Sequence, residues 1–483
     1  MSRKFPSVVS TTHRKSSTGL AAQQDKAATS AEVPKQEGAH LLHTFSPPAA
    51  GSPTDSMAPL NWLFGLCAVP QPLSSSTSQT AGQPLPPSQD PWYRPPVGFE
   101  AKEPGTLLRI RPTPGNLTTL VGNTAAAYNI LYRTTNSRYL PSWAVTTLFV
   151  PASFYVSPSG KAAMLSYQFA YNTANLDSSP SYGLHLGPSQ GNADLGIQSD
   201  TSFLTDVLGL GWLVNVPDWE GPTAAFGAAV QAGHATLDSI RAVLNLAQLT
   251  GAADITTTMW GYSGGSIATE SAAELQVQYA PSLAISGVAL GGLVDDLAAN
   301  RDRANQSPIA ASIVAGLLGL ASQYPEAEAY LRRRLRPETA REFLSAKDIN
   351  SSDALRLFAM KDIYSYFVGG VADLQAPVLR KIFNLEGKRG SHGVPAMPIF
   401  MYKAVADQFC PISLTDALVE RFCSSGVDIT YERNTVGGHV AEIENGNSRV
   451  IEWLWKIFDE SYVPSASGCT IRDVAVNIST VNA

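Results

Sequence analysis

Apolar and β-branched residues recur along the chain in short runs that polar stretches separate. The first of these runs follow one another directly, whereas most of the later ones alternate with segments of helical spacing, the clearest being 223–247 and 265–280. This order predicts an α/β protein with a mixed, mostly parallel sheet flanked by helices. The strand-like runs are residues 106–111, 128–135, 143–150, 163–171, 212–218, 255–262, 283–290, 398–405 and 428–433.

The pattern changes between residues 295 and 396. Segments such as SIVAGLLGL and AEAYLRRRL have helical spacing, and no convincing strand lies between them. A helical block inside a strand–helix alternation predicts an insertion, most simply a cap over one edge of the sheet. The folded domain that contains this cap is predicted to span residues 85–475, after the proline-rich entry LPPSQDPWYRPP.

The N-terminal region has a different composition from the rest. Residues 1–56 are rich in Ser, Thr, Ala, Lys and Gln without apolar periodicity, which predicts a disordered extension. MAPLNWLFGLCAV begins at Met57 and is followed by a polar linker to residue 84, which resembles the apolar part of a secretory signal. We therefore expect a secreted protein whose true start is Met57. The alternative is an apolar patch on a disordered tail.

Composition excludes several classes of function. Charged residues make up 15% of the 483, the net charge is −6, and no basic stripe is present, so nucleic acid is not an expected partner. No apolar run approaches the roughly 20 residues that span a bilayer. The four cysteines form no CxxC pair, which does not favour a zinc site. Sequons at Asn116, Asn305, Asn350 and Asn477 favour a secreted glycoprotein.

The sequence GYSGG carries the first candidate for catalysis. It directly follows ITTTMW, in a strand-like run, and precedes a helix-like segment, which is the setting of a nucleophile elbow. Gly261 and Gly265 would give a sharp bend its clearance, and Tyr262 completes the turn. The bend would lift the hydroxyl of Ser263 clear of the sheet at a helix N-terminus, where developing negative charge is favoured. The alternative is a glycine-rich turn with a capping serine.

A nucleophilic serine needs a base, and the base needs a carboxylate that orients it. Downstream of Ser263 the only histidines are His392 and His439. Asp407 follows the run PIFMYKAV, at the C-terminal end of a predicted strand where such sheets place their sites. His439 lies in a glycine-rich loop after the next predicted strand. Asp407 before His439 gives the order Ser, acid, His, whereas His392 precedes this acid.

These motifs and others resemble the fungal secretory lipase family, of the lipase A type. The matching stretches span about 85–475 and include DPWYRPPVGFEAKEPGTLLRIR, VNVPDWEGPTAAFGAA, WGYSGGSIAT, VADQFCP and GGHVAEI. The resemblance implies an α/β-hydrolase with a helical cap that cleaves acyl esters without metal or other cofactor. It implies Ser263 as nucleophile, Asp407 as acid and His439 as base. A base must be neutral, so activity is expected to fall at acid pH.

The resemblance also implies an oxyanion hole made by Gly264 and Asn172. Family members often have an acidic residue where this chain has Asn172, and asparagine keeps the backbone N–H while adding a side-chain amide. The hole is therefore expected to survive the change.

The cysteines depart from the family pattern at one position. Ser178 stands where a family cysteine often precedes the Pro-Ser-Tyr motif, and the cap has no cysteine to pair with. Cys423 and Cys469 match the second family pair, so the resemblance implies a disulfide between them. Cys410 would be left free, and Cys67 would leave with the signal.

The sequence thus predicts a secreted, monomeric serine hydrolase acting on lipids such as triacylglycerols. Its cap helices would line an acyl tunnel or form a lid. A short-chain esterase or deacetylase acting on a natural product is the first alternative. A peptidase or amidase is a further one, and a catalytically inactive binding module is an alternative of another class. The cap sequence does not set the length of the acyl pocket.

Overall fold

A ten-stranded sheet organises this computed structural model, which describes residues 84–186, 195–249, 254–465 and 468–478. Its strands are β1 Leu107–Pro112, β2 Thr124–Thr135, β3 Pro141–Pro151, β4 Ala162–Gln168, β5 Leu213–Pro217, β6 Ile255–Tyr262, β7 Gly287–Gly291, β8 Ile399–Ala404, β9 Ile429–Asn434 and β10 Cys469–Val474. They lie in the order β1-β2-β3-β5-β4-β6-β7-β8-β9-β10. The pairs β1–β2, β2–β3 and β3–β5 are antiparallel and the remaining pairs are parallel. The predicted mixed, mostly parallel sheet is confirmed.

All nine strand-like runs contain a strand, but the sequence did not indicate the tenth. β10 pairs with β9 at the edge of the sheet and is mostly exposed. A solvent-exposed edge strand does not need apolar residues, so hydrophobic periodicity does not predict it. The prediction for 283–290 was also too long, because the strand begins only at Gly287.

The start predicted for the long helix 223–247 was wrong. The helix is Ala229–Leu249, and it follows a short 3-10 turn at Gly221–Thr223. Ala224 and Gly227 have φ angles of 46° and 84°. Residues in the left-handed region cannot continue a right-handed helix, so the apolar pattern begins before the helix does.

Helices cover both faces of the sheet, as periodicity predicted. The helices outside the cap are α1 Leu117–Leu120, α2 Pro180–Leu186, α3 Leu195–Gly209, α4 Ala229–Leu249, α5 Gly264–Tyr279, α13 Ile412–Ser424 and α14 Ala441–Phe458. Side chains of α3 and α14 share one apolar core with the sheet, including Leu204 and Leu454. Side chains of α4, α5 and α13 share the core on the other face, including Ile240, Leu275 and Phe422.

The chain between β7 and β8 forms the helical cap. Its helices are α6 Leu297–Ala304, α7 Ala311–Gln323, α8 Pro325–Arg334, α9 Pro337–Leu344, α10 Ser351–Phe358, α11 Val371–Leu374 and α12 Pro377–Glu386. They enclose a third apolar core with fully buried Phe343, Phe358 and Phe367. The helical insertion is thus confirmed, and it has a core largely of its own.

A disulfide joins Cys423 at the end of α13 to Cys469 at the start of β10, while Cys410 is a buried free thiol. Among the described residues, no helix is long and apolar enough to cross a membrane. The expected extension 1–56, and the signal-like segment with its linker up to residue 83, lie outside the described residues. Both remain predictions.

Candidate active site

The candidate nucleophile lies on a strained bend between β6 and α5. Ser263 has φ 51° and ψ −122°, and α5 begins at the next residue. A serine keeps a positive φ only where its surroundings impose it. Its N–H donates to the carbonyl of Gly291 over 3.0 Å, which fixes the bend to the neighbouring strand.

Both glycines of the motif are sterically required. A Cβ on Gly261 would lie 2.4 Å from the backbone oxygen of Gly265, and a Cβ on Gly265 would lie 1.9 Å from that of Gln168. Both distances are far shorter than any real carbon contact. Neither position therefore has room for a side chain.

Three predicted side chains form one hydrogen-bonded chain. The Oγ of Ser263 lies 2.8 Å from Nε2 of His439, and Nδ1 of His439 lies 2.7 Å from Oδ2 of Asp407. Asp407 follows β8 and His439 follows β9, so the parallel order of these strands brings both to one edge of the sheet. His392 lies elsewhere, and its Nε2 contacts the carbonyl of Leu385.

Asp407 is held in its ionised form. Burial raises its pKa, but the hydrogen bond and charge of His439, the charge of Lys403 and the N–H of Cys410 outweigh burial and lower the pKa overall. Its second oxygen, Oδ1, accepts from the N–H groups of Phe409 and Cys410 over 3.0 and 2.8 Å. A buried carboxylate with this set of donors can orient an imidazole and stabilise its charged form.

Two groups that the sequence did not indicate hold His439 in place. The backbone N–H of His439 donates to Oε1 of Gln408 over 3.1 Å, and its carbonyl accepts from the hydroxyl of Tyr262 over 2.6 Å. Neither contact has a local signature, because the partners are 31 and 177 residues apart. Tyr262 was singled out only as part of the bend.

The candidate oxyanion hole combines two backbone N–H groups that have no acceptor within the described residues. Gly264 is the first residue of α5, and Asn172 lies in the loop after β4 with a φ of 42°. The sequence suggested that the side-chain amide of Asn172 would add a donor to the hole, but the atom of this side chain nearest to Gly264 is its oxygen. This oxygen, Oδ1, is buried and has no partner within the described residues. The two backbone donors therefore carry the anion-binding capacity of this arrangement.

One cluster at the site has the donor types of a metal centre. The ligating atoms of Asp407, Cys410 and His439 lie within 4.8 Å of one another. Sequence spacing did not indicate this set, because the fold brings His439 to the other two residues. The oxygens of Asp407 and Nδ1 of His439 are already engaged in the hydrogen bonds described above.

An apolar cavity of about 330 Å³ lies between the cap and the edge of the sheet. Ser263 and His439 lie at its wall, together with Asn172 and Gly264. The cap contributes mainly apolar side chains from α6, α7, α10 and α12, among them Leu297, Ile313, Leu317, Leu320, Leu355 and Phe383. Such a space can hold an apolar group beside the serine hydroxyl.

Hydrogen bonds at Asp295 join the start of the cap to the sheet and to the end of the cap. Nζ of Lys403, on β8, donates to Oδ2 of Asp295 over 3.2 Å and to Oγ1 of Thr415 over 2.8 Å. Burial raises the pKa of Asp295 despite the opposing effect of Lys403. The N–H of Arg389 donates to the carbonyl of Asp295 over 3.0 Å, so the chain enters and leaves the cap at one point.

Comparison with known proteins places this arrangement in a family. A family model described as "Secretory lipase" matches residues 188–465. The chain belongs to the secretory lipase family. A probable trichothecene esterase of Stachybotrys chartarum is 55% identical over 89% of this chain and 90% of that protein. A trichothecene C-3 esterase of Fusarium sporotrichioides is 43% identical over 82% of this chain and 90% of that protein.

Among solved structures, the closed state of Candida antarctica lipase A aligns with a TM-score of 0.74. It shares 25% sequence identity, and the alignment covers 82% of this chain and 91% of the lipase. The predicted fold, the α/β-hydrolase with a helical cap, is therefore confirmed, as is the resemblance to the lipase A type. This secretory lipase family member is a carboxylic ester hydrolase.

Proposed function

We propose that this enzyme hydrolyses acyl esters with Ser263 as nucleophile, His439 as general base and Asp407 as the orienting acid. The observation that carries the proposal is the unbroken chain of 2.8 and 2.7 Å contacts from Ser263 to Asp407 at the wall of an apolar cavity. An alternative in which the chain only binds a ligand gives no reason for this geometry or for the strain at Ser263.

The proposed reaction has two halves. His439 Nε2 takes the proton of Ser263 as Oγ bonds to the ester carbonyl carbon, and the tetrahedral oxyanion accepts from the N–H groups of Gly264 and Asn172. The bond to the alcohol oxygen then breaks as His439 donates its proton to that oxygen. A water molecule next loses a proton to His439 and attacks the acyl carbon, which releases the acid and returns the proton to Ser263.

For the substrate, we propose a natural-product ester of the trichothecene class. The two relatives with 55% and 43% identity are named as trichothecene esterases. The cavity, at about 330 Å³, is at the lower end of the range for small-molecule sites, which favours a compact ligand. This is the natural-product alternative that the sequence had left open.

Triacylglycerol hydrolysis is the second candidate. The apolar side chains of the cap are compatible with it, because they would accommodate a hydrocarbon chain as readily as a trichothecene. The family description and the solved lipase agree with it. The two candidates differ in the part of the ester that enters the cavity.

We further propose that the protein is a secreted glycoprotein and a monomer. Among the sequons, Asn116 is exposed and suits a glycan. The amides of Asn305 and Asn350 instead donate to Asp362 and Asp353 within the cap, each over 2.8 Å. Mass spectrometry of the protein from its native source would identify the mature N-terminus and the occupied asparagines.

One substrate panel tests both parts of the proposal. Purified enzyme and the Ser263→Ala variant are assayed on p-nitrophenyl esters from acetyl to palmitoyl, on an acetylated trichothecene and on a triacylglycerol emulsion. We expect the highest kcat/KM on the acetylated trichothecene and none with the variant. A maximum on long-chain esters and the emulsion would favour the lipase instead. Absence of activity and of fluorophosphonate labelling in the wild type would overturn the catalytic proposal.

A further inference from the structure

The loop that carries Asn172 is held by contacts from two sides. From the sheet side, Oε1 of Glu220 accepts from the N–H of Thr173 over 3.3 Å, and the hydroxyl of Tyr171 accepts from the N–H of Glu220 over 2.6 Å. From the cap side, Oγ of Ser351 donates to the backbone carbonyl of Tyr171 over 2.8 Å. Ser351 thus joins the cap to this loop across 180 residues of sequence.

The hydrogen bond from Ser351 acts on the peptide group that also carries the N–H of Asn172. The carbonyl of Tyr171 and the N–H of Asn172 belong to the same peptide group, which is planar and trans. In such a group the two bonds point in opposite directions within one plane. A donor on the carbonyl therefore fixes the direction of the N–H, and it also polarises the group, so that the N–H becomes a better donor.

We propose that Ser351 is a positioning residue that aims the N–H of Asn172 at the oxyanion. This inference rests on the proposed function, in which that N–H stabilises the tetrahedral intermediate. Full activity then requires the cap to be packed against the sheet domain. The reason is that the hydroxyl of Ser351 belongs to α10 of the cap, whereas the peptide group belongs to the loop beside the sheet. Ser351 also lines the cavity, so its test has to distinguish an effect on kcat from an effect on KM.

Helix capping does not account for the hydroxyl of Ser351. Asn350 is the N-cap of α10, and its side chain accepts from the N–H of Asp353 over 2.8 Å. Ser351 occupies the first position inside the helix, where no side-chain cap is required. Replacing it with alanine should therefore leave α10 intact. Asn172 has a φ of 42°, in the left-handed region that few residues other than glycine and asparagine adopt.

The test compares Ser351→Ala and Ser351→Thr with the wild type. The matched control is Ser345→Ala, because Ser345 is also in the cap and its hydroxyl also donates to a backbone carbonyl, that of Glu342, over 2.7 Å. Complete loss of an oxyanion donor lowers kcat by about 10²- to 10³-fold. In Ser351→Ala the N–H of Asn172 remains but is no longer held in the direction of the oxyanion. We therefore expect this variant to lower kcat on p-nitrophenyl acetate by roughly tenfold. KM and Tm should stay unchanged, and Ser351→Thr and Ser345→Ala should retain kcat.

A second readout separates this inference from the function on which it rests. The rate of Ser263 labelling by a fluorophosphonate should fall by a similar factor in Ser351→Ala, since the phosphoryl oxygen occupies the same hole. Wild-type kcat in Ser351→Ala would overturn the inference alone. An increase confined to KM would also overturn it, because Ser351 would then contact substrate rather than aim the N–H. A wild type that neither hydrolyses nor labels would instead overturn the proposed function.

Discussion

The edge of the sheet and the cap above it meet at one cavity but are constructed differently. At the sheet edge, Ser263, Asp407 and His439 lie in short loops, and backbone hydrogen bonds fix each of those loops. In the cap, seven helices pack around a core of their own, and ion pairs such as Arg332–Glu328 lie at the surface.

This difference separates the two parts of the enzyme's task. The sheet edge determines where the serine, imidazole and carboxylate lie, and a displacement of any of them changes the chemistry. The cap supplies most of the apolar side chains that line the cavity, so a substitution there is expected to change the space for the ester rather than the chemistry. Ser351 is an exception, since it belongs to the cap and yet contacts the loop beside the nucleophile. The following predictions test how far the distinction holds.

The largest expected effect on activity comes from comparing Ser263, at the sheet edge, with Ser365, in the cap. Ser263→Ala should lower kcat/KM on p-nitrophenyl acetate by at least about 10⁴-fold, because it removes the proposed nucleophile and leaves only the proposed oxyanion donors and binding. Ser365→Ala in the cap is the control, since its hydroxyl donates only to the carbonyl of Asp362. A Ser263→Ala variant within tenfold of the wild type would show that another group is the nucleophile.

The next prediction compares a buried cation with an exposed one. Lys403 is fully buried and pairs with Asp295, so Lys403→Met should lower the free energy of unfolding by about 3–5 kcal/mol, because it leaves a buried carboxylate without its cation. Arg332→Met should change it by less than about 1 kcal/mol, because the side chain is 56% exposed. Urea unfolding at pH 7 measures both. Equal losses would mean that the cap's surface pairs are structural.

The same distinction explains what the sequence could and could not reveal. Ser263, Asp407 and His439 were recognised because strand ends and glycine-rich loops mark such positions locally. Gln408 and Ser351 were missed, because each acts through a contact distant in sequence. The edge strand β10 was missed because it is exposed, and the side-chain orientation of Asn172 depends on its contact with Gly264. The cap's helices could be predicted, but not the cavity that they form with the sheet.

Asp218, a buried carboxylate directly after β5, should make stability depend on pH. Burial raises the pKa of Asp218 to about 7, although the hydrogen bonds from Ser181 oppose this shift. Between the unfolded pKa of about 4 and this value, the folded state binds more protons than the unfolded one, so stability falls as pH rises through that window. From pH 5 to pH 8 the wild type should lose about 2–3 kcal/mol relative to Asp218→Asn.

The control for this measurement is Glu328→Gln in the cap, where the side chain is 44% exposed and pairs with Arg332. Urea unfolding at both pH values gives the difference between each variant and the wild type. That difference should change with pH for Asp218→Asn and stay constant for Glu328→Gln. A constant difference for both variants would mean that Asp218 is not protonated in the folded state at pH 5.

The smallest expected effect tests the freedom of the cap itself. In α7, a Cβ on Gly316 would meet no heavy atom nearer than Cδ1 of Phe226 at 4.0 Å. A glycine inside a helix is less stable than alanine by about 0.5–1 kcal/mol, so Gly316→Ala should raise the free energy of unfolding by that amount. Gly316 lines the cavity, so the added methyl group should raise KM for bulky esters while kcat on p-nitrophenyl acetate stays unchanged.

Gly319, one turn further along α7, provides the contrast within the same helix. A Cβ there would lie 2.2 Å from the backbone oxygen of Phe226, in the segment that precedes α4, so Gly319→Ala should destabilise the protein by at least about 1–3 kcal/mol. Thermal unfolding of the two variants therefore locates the boundary between the two regions. Opposite signs would place that boundary along one face of α7, where the cap touches the sheet domain. Destabilisation by both variants would mean that the cap is packed as rigidly as the nucleophile bend, and that its cavity cannot adapt to different esters by single substitutions.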